Sequence, residues 1–255
     1  MTGDREAILT KTADVLLDAR RTGKTLTDLP ADLIPADMDE AYFVQDKIAE
    51  AFGEIGGWKV GAPTPEATPV FAPMPLAWIS ASGSTLTGAR WRYRGLEAEI
   101  AFLVGEDLPP REQPYSREEA LAAMASCHPA IEVLEAAFED PTKATRLAAF
   151  ADIQMHGGFV YGPAIADWQS IDWNTEVVTL VVDSAVRVER TGSNTSGDLL
   201  KLLPWLANEG AKRTGGLKKG QWITTGSWTG NEPASAGSTV EAKFTHADSV
   251  DLKFA

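Results

Sequence analysis

Two glutamates alternate with apolar residues in the segment Leu96–Phe102, which reads LEAEIAF. In a β-strand successive side chains point to opposite faces, so Glu97 and Glu99 would share one face and the apolar residues between them the other. Neighbouring carboxylates repel each other unless a cation lies between them, and hard divalent cations prefer oxygen ligands of this kind. The spacing therefore indicates either a metal site or the solvent-facing side of a half-buried sheet.

Two more charged residues interrupt apolar segments. Glu132 lies within the run Pro129–Leu134, where an acid must be paired, bound to a metal or turned towards water. Lys59 lies within Gly57–Gly61, where flanking glycines would let the backbone approach a ligand closely. Lys59 could bind a substrate carboxylate or donate a proton, and the alternative is an ordinary lysine on an exposed strand.

Two loops mix polar residues with glycine. The segment Phe150–Gly158 contains Asp152 and His156, each of which has either a structural or a functional interpretation. The segment Thr224–Gly230 would offer backbone N–H groups and hydroxyls to an anion, or it is simply a turn.

The elements that must position these residues are predicted as helices first and strands afterwards. Helical periodicity and capping signals predict helices over 4–23, 38–53, 116–126 and about 197–213. Five prolines predict an irregular loop over 62–75. Strands are predicted over 56–61, 77–80, 96–104, 130–134, 159–161, 177–182, 221–225 and 240–244. This order predicts an α+β fold, with an N-terminal helical lobe and cover segment over 1–75 and a β-rich catalytic domain over 76–255.

Composition narrows the class of protein. The chain has 255 residues, and 23 basic against 36 acidic residues give a net charge of −13. This acidic balance argues against nucleic acids and anionic membrane surfaces as partners, because both require a basic face. The single cysteine, Cys127, excludes a disulfide within the chain. No signal peptide or membrane-spanning run is visible, so we expect a soluble cytoplasmic protein.

In order along the chain, these motifs resemble the 2-keto-4-pentenoate hydratase branch of the fumarylacetoacetate hydrolase superfamily. The resemblance runs from about residue 39 to the C-terminus. It rests on five segments: GWKVG at 57–61, LEAEIA at 96–101, PAIEV at 129–133, AD at 151–152 before GFVYG at 158–162, and LKKGQWITTG at 217–226.

The resemblance implies a mixed β-roll with flanking helices and a small N-terminal helical lobe. It implies that Glu97, Glu99 and Glu132 hold Mg²⁺ or Mn²⁺. It also implies a cytoplasmic homo-oligomer that acts on a small anionic 2-oxo acid in aromatic-compound breakdown. Lys59 and Asp152 would be catalytic, and the substrate would be bound by Gly61, Ile153, Thr225 and Gly226.

This chain departs from the hydratase pattern in three places. The Pro-rich segment between Gly61 and Met74 is shorter than in the better-known hydratases, where the corresponding segment helps to form the substrate cover. Ile153 stands where the family often has Asn, and Asp198 stands where it often has His.

The resemblance predicts hydration of a 2-hydroxy-2,4-dienoate through a metal-stabilised enolate. Decarboxylation or C–C hydrolysis of a related 2-oxo acid would use the same metal site. C–C hydrolysis ranks lower because it usually needs a His–Glu pair, and the chain has only three histidines. A non-catalytic protein that binds a small acid is the third possibility.

Overall fold

Two β-sheets and a group of N-terminal helices form the structure, a computed structural model that describes residues 2–255. The strands are β1 (Ile55–Gly61), β2 (Val70–Pro75), β3 (Ile79–Ala81), β4 (Ser84–Leu86), β5 (Gly95–Val104), β6 (Met124–Leu134), β7 (His156–Tyr161), β8 (Val177–Val182), β9 (Ala185–Thr191), β10 (Trp222–Thr224), β11 (Glu232–Pro233), β12 (Thr239–Phe244) and β13 (Ser249–Phe254). The helices are α1 (Gly3–Thr22), α2 (Met38–Phe52), α3 (Arg117–Ala122), α4 (Arg146–Ala151), α5 (Leu202–Trp205) and α6 (Ala211–Thr214). The strand-rich architecture with few helices is the predicted mixed α+β class.

The larger sheet has eight strands in the order β2-β1-β10-β5-β6-β7-β3, and β11 pairs with β5. It is mixed, because β1 runs parallel to β10 and β3 runs parallel to β7, while its other pairs are antiparallel. The smaller sheet has five strands in the order β4-β13-β12-β8-β9.

The alternation of side chains along β5 gives the larger sheet one face in the hydrophobic core and one face that carries acids. Leu96, Ala98 and Ile100 are fully buried in the main core together with residues of β8, β12 and β13 from the smaller sheet. Burying Leu96 or Ile100 stabilises the fold by roughly 1.5–3 kcal/mol for each side chain. The opposite face of β5 therefore presents Glu97 and Glu99, as the alternation predicted.

The N-terminal helices have a hydrophobic core of their own, which they share with α4 and the segment after β6. Asp37 caps α2 by accepting a hydrogen bond from the Glu40 N–H (3.0 Å), and Gly23 ends α1 with φ of 75°. Ser116 and Glu119 form the capping box predicted for α3. The predicted helix over 197–213 is broken into a short 3₁₀ turn, α5, a π-helical turn (Leu206–Gly210) and α6.

Strand β2 is a difference from the sequence analysis, which predicted an irregular loop over 62–75. Pro73 and Pro75 lie within this strand. The strand tolerates them because it is an edge strand, where a missing N–H removes no bond to a further strand. Both β1 and β2 thus belong to the larger sheet, although they precede residue 76, and the division of the chain at that position stays a prediction.

No helix among residues 2–255 has the length and apolar character needed to cross a membrane.

Candidate metal centre and active site

The antiparallel register of β5 and β6 brings the three predicted acids together. Glu97 lies directly opposite Glu132, and Glu99 lies opposite Ala130 on the same face. Each glutamate offers a carboxylate oxygen, and these three oxygens all lie within 4.8 Å of one another. Glu99 and Glu132 are buried, and Glu97 is partly exposed.

Lys59 reaches this cluster from β1, two strands away from β5. Its Nζ lies 2.7 Å from Oε1 of Glu132 and donates a hydrogen bond to the backbone oxygen of Gln154 at 3.1 Å. Parallel pairing of β1 with β10 places Lys59 beside Thr224. The lysine is therefore part of the acidic cluster, and its ammonium is mostly shielded from solvent, with 14% of the side chain exposed.

Hydrogen bonds from neighbouring residues fix the orientation of the carboxylates. Thr224 Oγ1 and the Gly226 N–H (3.0 Å) both donate to Oε2 of Glu99. His156 lies 2.8 Å through Nδ1 from Oε1 of Glu132, the same oxygen that Lys59 contacts. An ionised carboxylate can only accept hydrogen bonds, so Nδ1 is assigned as the protonated nitrogen of this imidazole.

The cluster fits a divalent cation. Oε2 of Glu132 is buried and has no hydrogen-bond partner among the described residues. A buried carboxylate oxygen without a partner is costly, and a cation bound between the three acids would satisfy it. Three carboxylates and one ammonium leave two net negative charges, which matches Mg²⁺ or Mn²⁺ with water completing the coordination.

The pKa values in the cation-free cluster reflect this unbalanced charge. Burial and the nearby charge of Glu132 raise the pKa of Glu97 to about 6. Burial, followed by the charges of Glu132 and Glu97, raises the pKa of Glu99 well above its usual value. Burial acts in the same direction on Glu132, but Lys59 and His156 outweigh it and lower the pKa of that carboxyl.

Lys59 keeps its proton in this environment. Burial disfavours the ammonium, but attraction to Glu132 and then Glu97 outweighs it, so the pKa of Lys59 is raised above its ordinary value. Burial lowers the pKa of His156, which is consistent with a neutral imidazole. The site thus contains one permanent cation, and it lies against Glu132.

A pocket of about 260 Å³ opens over the acids and Lys59. Most of the other residues that line it are small. They are Val60, Gly61, Ala62, Pro63, Val70, Gln154, Thr195, Gly226, Ser227 and Gly230. The short Pro-rich segment that follows β1 contributes Ala62, Pro63 and Val70 to this lining. The volume suits a small molecule.

The structure separates the other predicted site residues into two groups. Gly61 and Gly226 line the pocket beside the acids. Thr225 is fully buried and donates through Oγ1 to the backbone oxygen of Ile100, and Ile153 packs in the core of the N-terminal helices. Neither of these two side chains lines the pocket.

Asp152, predicted as catalytic, lies outside the pocket lining. Its carboxylate is completely buried, pairs with Arg20 of α1 at 2.5 Å and accepts the Ala137 N–H at 2.7 Å. Through these contacts Asp152 fixes the turn that carries Gln154. Asp198, the third departure from the hydratase pattern, pairs with Arg117 of α3 and caps the turn at Leu200.

The sequence analysis missed two residues near the acids and left the role of a third, His156, open. Gln154 and Ser227 line the pocket. His156 supports Glu132 from behind, where the sequence offered only a histidine before two glycines. The segment that carries Gln154 and His156 was singled out, but its backbone conformation, on which their placement depends, has no local sequence signal.

No protein-family model matches the chain, and no curated protein matches it. Solved structures do match it. The structure of 4-oxalocrotonate decarboxylase from Pseudomonas putida G7 complexed with magnesium and adipate has a TM-score of 0.85 at 23% identity, and the match covers 100% of this chain and 99% of that chain. The same enzyme complexed with calcium and acetate has a TM-score of 0.82 at 22% identity, with coverage of 100% and 99%.

A more distant match is 2-hydroxyhepta-2,4-diene-1,7-dioate isomerase from Mycobacterium marinum. Its TM-score is 0.58 at 18% identity, and the match covers 79% of this chain and 75% of that chain. At these identities the likeness is one of fold. The predicted fold class is thereby confirmed: the chain has the α+β fold of the fumarylacetoacetate hydrolase superfamily structures, with an acidic cluster that could bind a divalent metal.

Proposed function

We propose that the chain is a divalent-metal-dependent lyase that acts on a 2-oxo acid, or on its 2-hydroxy-2,4-dienoate tautomer, through an enolate. One observation carries the proposal: Glu97, Glu99 and Glu132 converge on one point at the floor of a small pocket, with Lys59 beside them. The same three acids would hold Mg²⁺ or Mn²⁺. When bound, the cation would stabilise the negative charge of an enolate.

The residues of the chain have separable tasks in this proposal. Lys59 holds a proton at Nζ next to the pocket. A cation bound by the three acids would offset the negative charges that raise the pKa of Lys59, so its ammonium could then protonate carbon or oxygen of the substrate. Its bond to the Gln154 carbonyl and its contact with Glu132 keep the ammonium in place. Small residues such as Gly61 and Gly226 leave room for a planar acid against the backbone.

Hydration of the dienoate is the reaction we propose first. Water adds across the distal double bond, so that C5 gains a proton and C4 gains the hydroxyl. The 2-hydroxyl proton leaves and C3 gains a proton, which gives the 2-oxo acid. Decarboxylation of a related 2-oxo acid is the second candidate. The similarity in fold to a decarboxylase over the full length of the chain favours it. In this reaction the three acids and Lys59 of this chain would have the same roles.

The cytoplasmic location, the homo-oligomer and the place in aromatic-compound breakdown are proposed on the family resemblance alone.

Calorimetric titration with oxalate, an enolate mimic, tests the site. We expect binding to the metal-stripped wild type only when Mg²⁺ is added, and loss of both Mg²⁺ and oxalate binding in Glu97→Gln. Glu118→Gln removes an exposed acid on α3 and is the matched control, which should bind like the wild type. Equal binding by Glu97→Gln and the wild type contradicts the proposal.

Product analysis then separates the two reactions. A 2-hydroxy-2,4-dienoate substrate would lose its conjugated absorbance and give a 4-hydroxy-2-oxo acid if the chain is a hydratase. Release of carbon dioxide from a 2-oxo dicarboxylate would favour the decarboxylase. Either activity should disappear in Glu97→Gln.

A further inference from the structure

The turn between α4 and β7 has an unusual backbone. Ile153, Gln154 and Met155 have φ of 44°, 50° and 62°, so three successive residues other than glycine are in the left-handed region. L-residues adopt this region at a cost, and such strain persists only where surrounding contacts enforce it. Strained segments of this kind cluster at functional sites.

The contacts that enforce the turn lie on both sides of Gln154. Before it, Asp152 is held by Arg20, and the Asp152 backbone oxygen accepts the Met155 N–H at 3.0 Å. After it, the Met155 oxygen accepts the Glu135 N–H at 2.8 Å. The Gln154 oxygen accepts the Lys59 ammonium at 3.1 Å. The turn therefore fixes Gln154 beside Lys59, at the edge of the acidic cluster.

The side chain of Gln154 has no protein partner in this position. Gln154 lines the pocket, and its Nε2 is buried without a hydrogen-bond acceptor among residues 2–255. A buried amide donor without a partner is rare in native proteins. Since Gln154 lines the pocket, a ligand bound there would supply the missing acceptor.

We propose that Gln154 is a substrate-binding residue whose carboxamide donates a hydrogen bond to the carboxylate of the bound acid. This inference rests on the proposed function, because it requires an anionic ligand beside the acidic cluster. Lys59 is the only positively charged donor in the pocket lining, and it already contacts Glu132. A neutral amide adds a directed hydrogen bond without adding a second positive charge.

The test replaces Gln154 by Gly, which removes the amide and also suits the left-handed backbone. The matched control is Met155→Gly, which relieves the same strain one residue later at a side chain that does not line the pocket. Oxalate is titrated calorimetrically into the Mg²⁺-loaded wild type and both variants, Mg²⁺ is titrated alone, and thermal unfolding is recorded. Gln154→Asn, which keeps a residue tolerant of this conformation but shortens the amide, is the second test variant.

We expect Gln154→Gly to weaken oxalate binding about tenfold, the effect of losing one hydrogen bond to a charged group. Its affinity for Mg²⁺ should stay that of the wild type, and its unfolding midpoint should be equal or higher. Gln154→Asn should show a similar loss, whereas Met155→Gly should bind oxalate normally. Normal oxalate binding by Gln154→Gly, or an equal loss in Met155→Gly, would overturn the inference alone. A wild type that binds no oxalate with Mg²⁺ would overturn the proposed function as well.

Discussion

At the scale of single residues, the acids are oriented by different kinds of support. Glu99 accepts two hydrogen bonds at one oxygen, from the Thr224 hydroxyl and the Gly226 N–H. Glu132 is held by Lys59 and His156 at one oxygen, which leaves the other without a partner. Residues that orient ligands in this way typically change metal affinity by 10–100-fold when they are mutated.

Thr224→Val should therefore lower the affinity for Mg²⁺ by about tenfold, because Glu99 loses the hydroxyl that orients it. The measurement is calorimetric titration of Mg²⁺ into the metal-stripped protein. Thr225→Val is the matched control: Thr225 is the next residue, is equally buried, and donates to the backbone oxygen of Ile100 instead of a carboxylate. If both variants bind Mg²⁺ equally well, the Thr224 hydroxyl has no part in the metal centre.

The sequence predicted the acids and Lys59 better than their surroundings. Glu97 and Glu99 were identifiable because two-residue alternation is a local property of one strand. The positions of Gln154 and His156 beside the acids were not identifiable. They depend on a left-handed turn and on the contact of Asp152 with Arg20, which is distant in the sequence. Ile153 was predicted at the substrate by analogy, and the turn places the next residue, Gln154, in the pocket lining instead.

At the scale of elements, helix α1 is attached to the site through Arg20. Its guanidinium pairs with Asp152 and donates to the backbone oxygens of His156 (2.9 Å) and Glu135 (3.0 Å). These residues flank the turn that carries Gln154 and the histidine that supports Glu132. The N-terminal helices are thus connected to the active-site turn by one buried arginine.

Arg20→Gln should destabilise the protein by about 3–5 kcal/mol, because it leaves the buried carboxylate of Asp152 without its cation. Urea denaturation of the wild type and the variant measures the change. Arg21→Gln removes the same charge from the next residue of α1, which is exposed and only lies over the ring of Phe52 (6.0 Å), so it should cost far less. Equal destabilisation by the two variants would show that Arg20 has no special role.

Strand β5, with one apolar and one acidic face, was predictable, whereas the edge strands β2 and β9 and the interior strand β13 were missed. Strand β5 was predicted almost to its ends, because Leu96, Ala98 and Ile100 alternate with the two acids and the apolar run continues to Val104. Strand β2 was missed since its prolines are acceptable only at the edge of a sheet, and being at an edge is a property of the whole topology. Strand β9 was missed because it is an exposed edge with Val188 as its one buried residue.

At the scale of the whole molecule, the cluster concentrates negative charge in a chain that is already acidic. The chain has a net charge of −13, and three glutamates meet at one point with a single lysine. Without a cation, burial and mutual repulsion act against ionisation of Glu97 and Glu99. Binding of a divalent cation to the folded state removes this repulsion, and the unfolded chain has no such site.

Divalent metal should consequently stabilise the protein against heat. At a Mg²⁺ concentration of about 100 times the dissociation constant, the folded state gains about 2.7 kcal/mol, which corresponds to a rise of about 5–10 °C in the unfolding midpoint for a chain of this size. Scanning calorimetry with and without Mg²⁺ measures the shift, with the same ionic strength of sodium chloride as the salt control. Glu97→Gln should lose most of the metal-induced rise and Glu118→Gln should retain it. A rise of equal size in Glu97→Gln would mean that Mg²⁺ acts on the general surface charge of the molecule and not through the three glutamates.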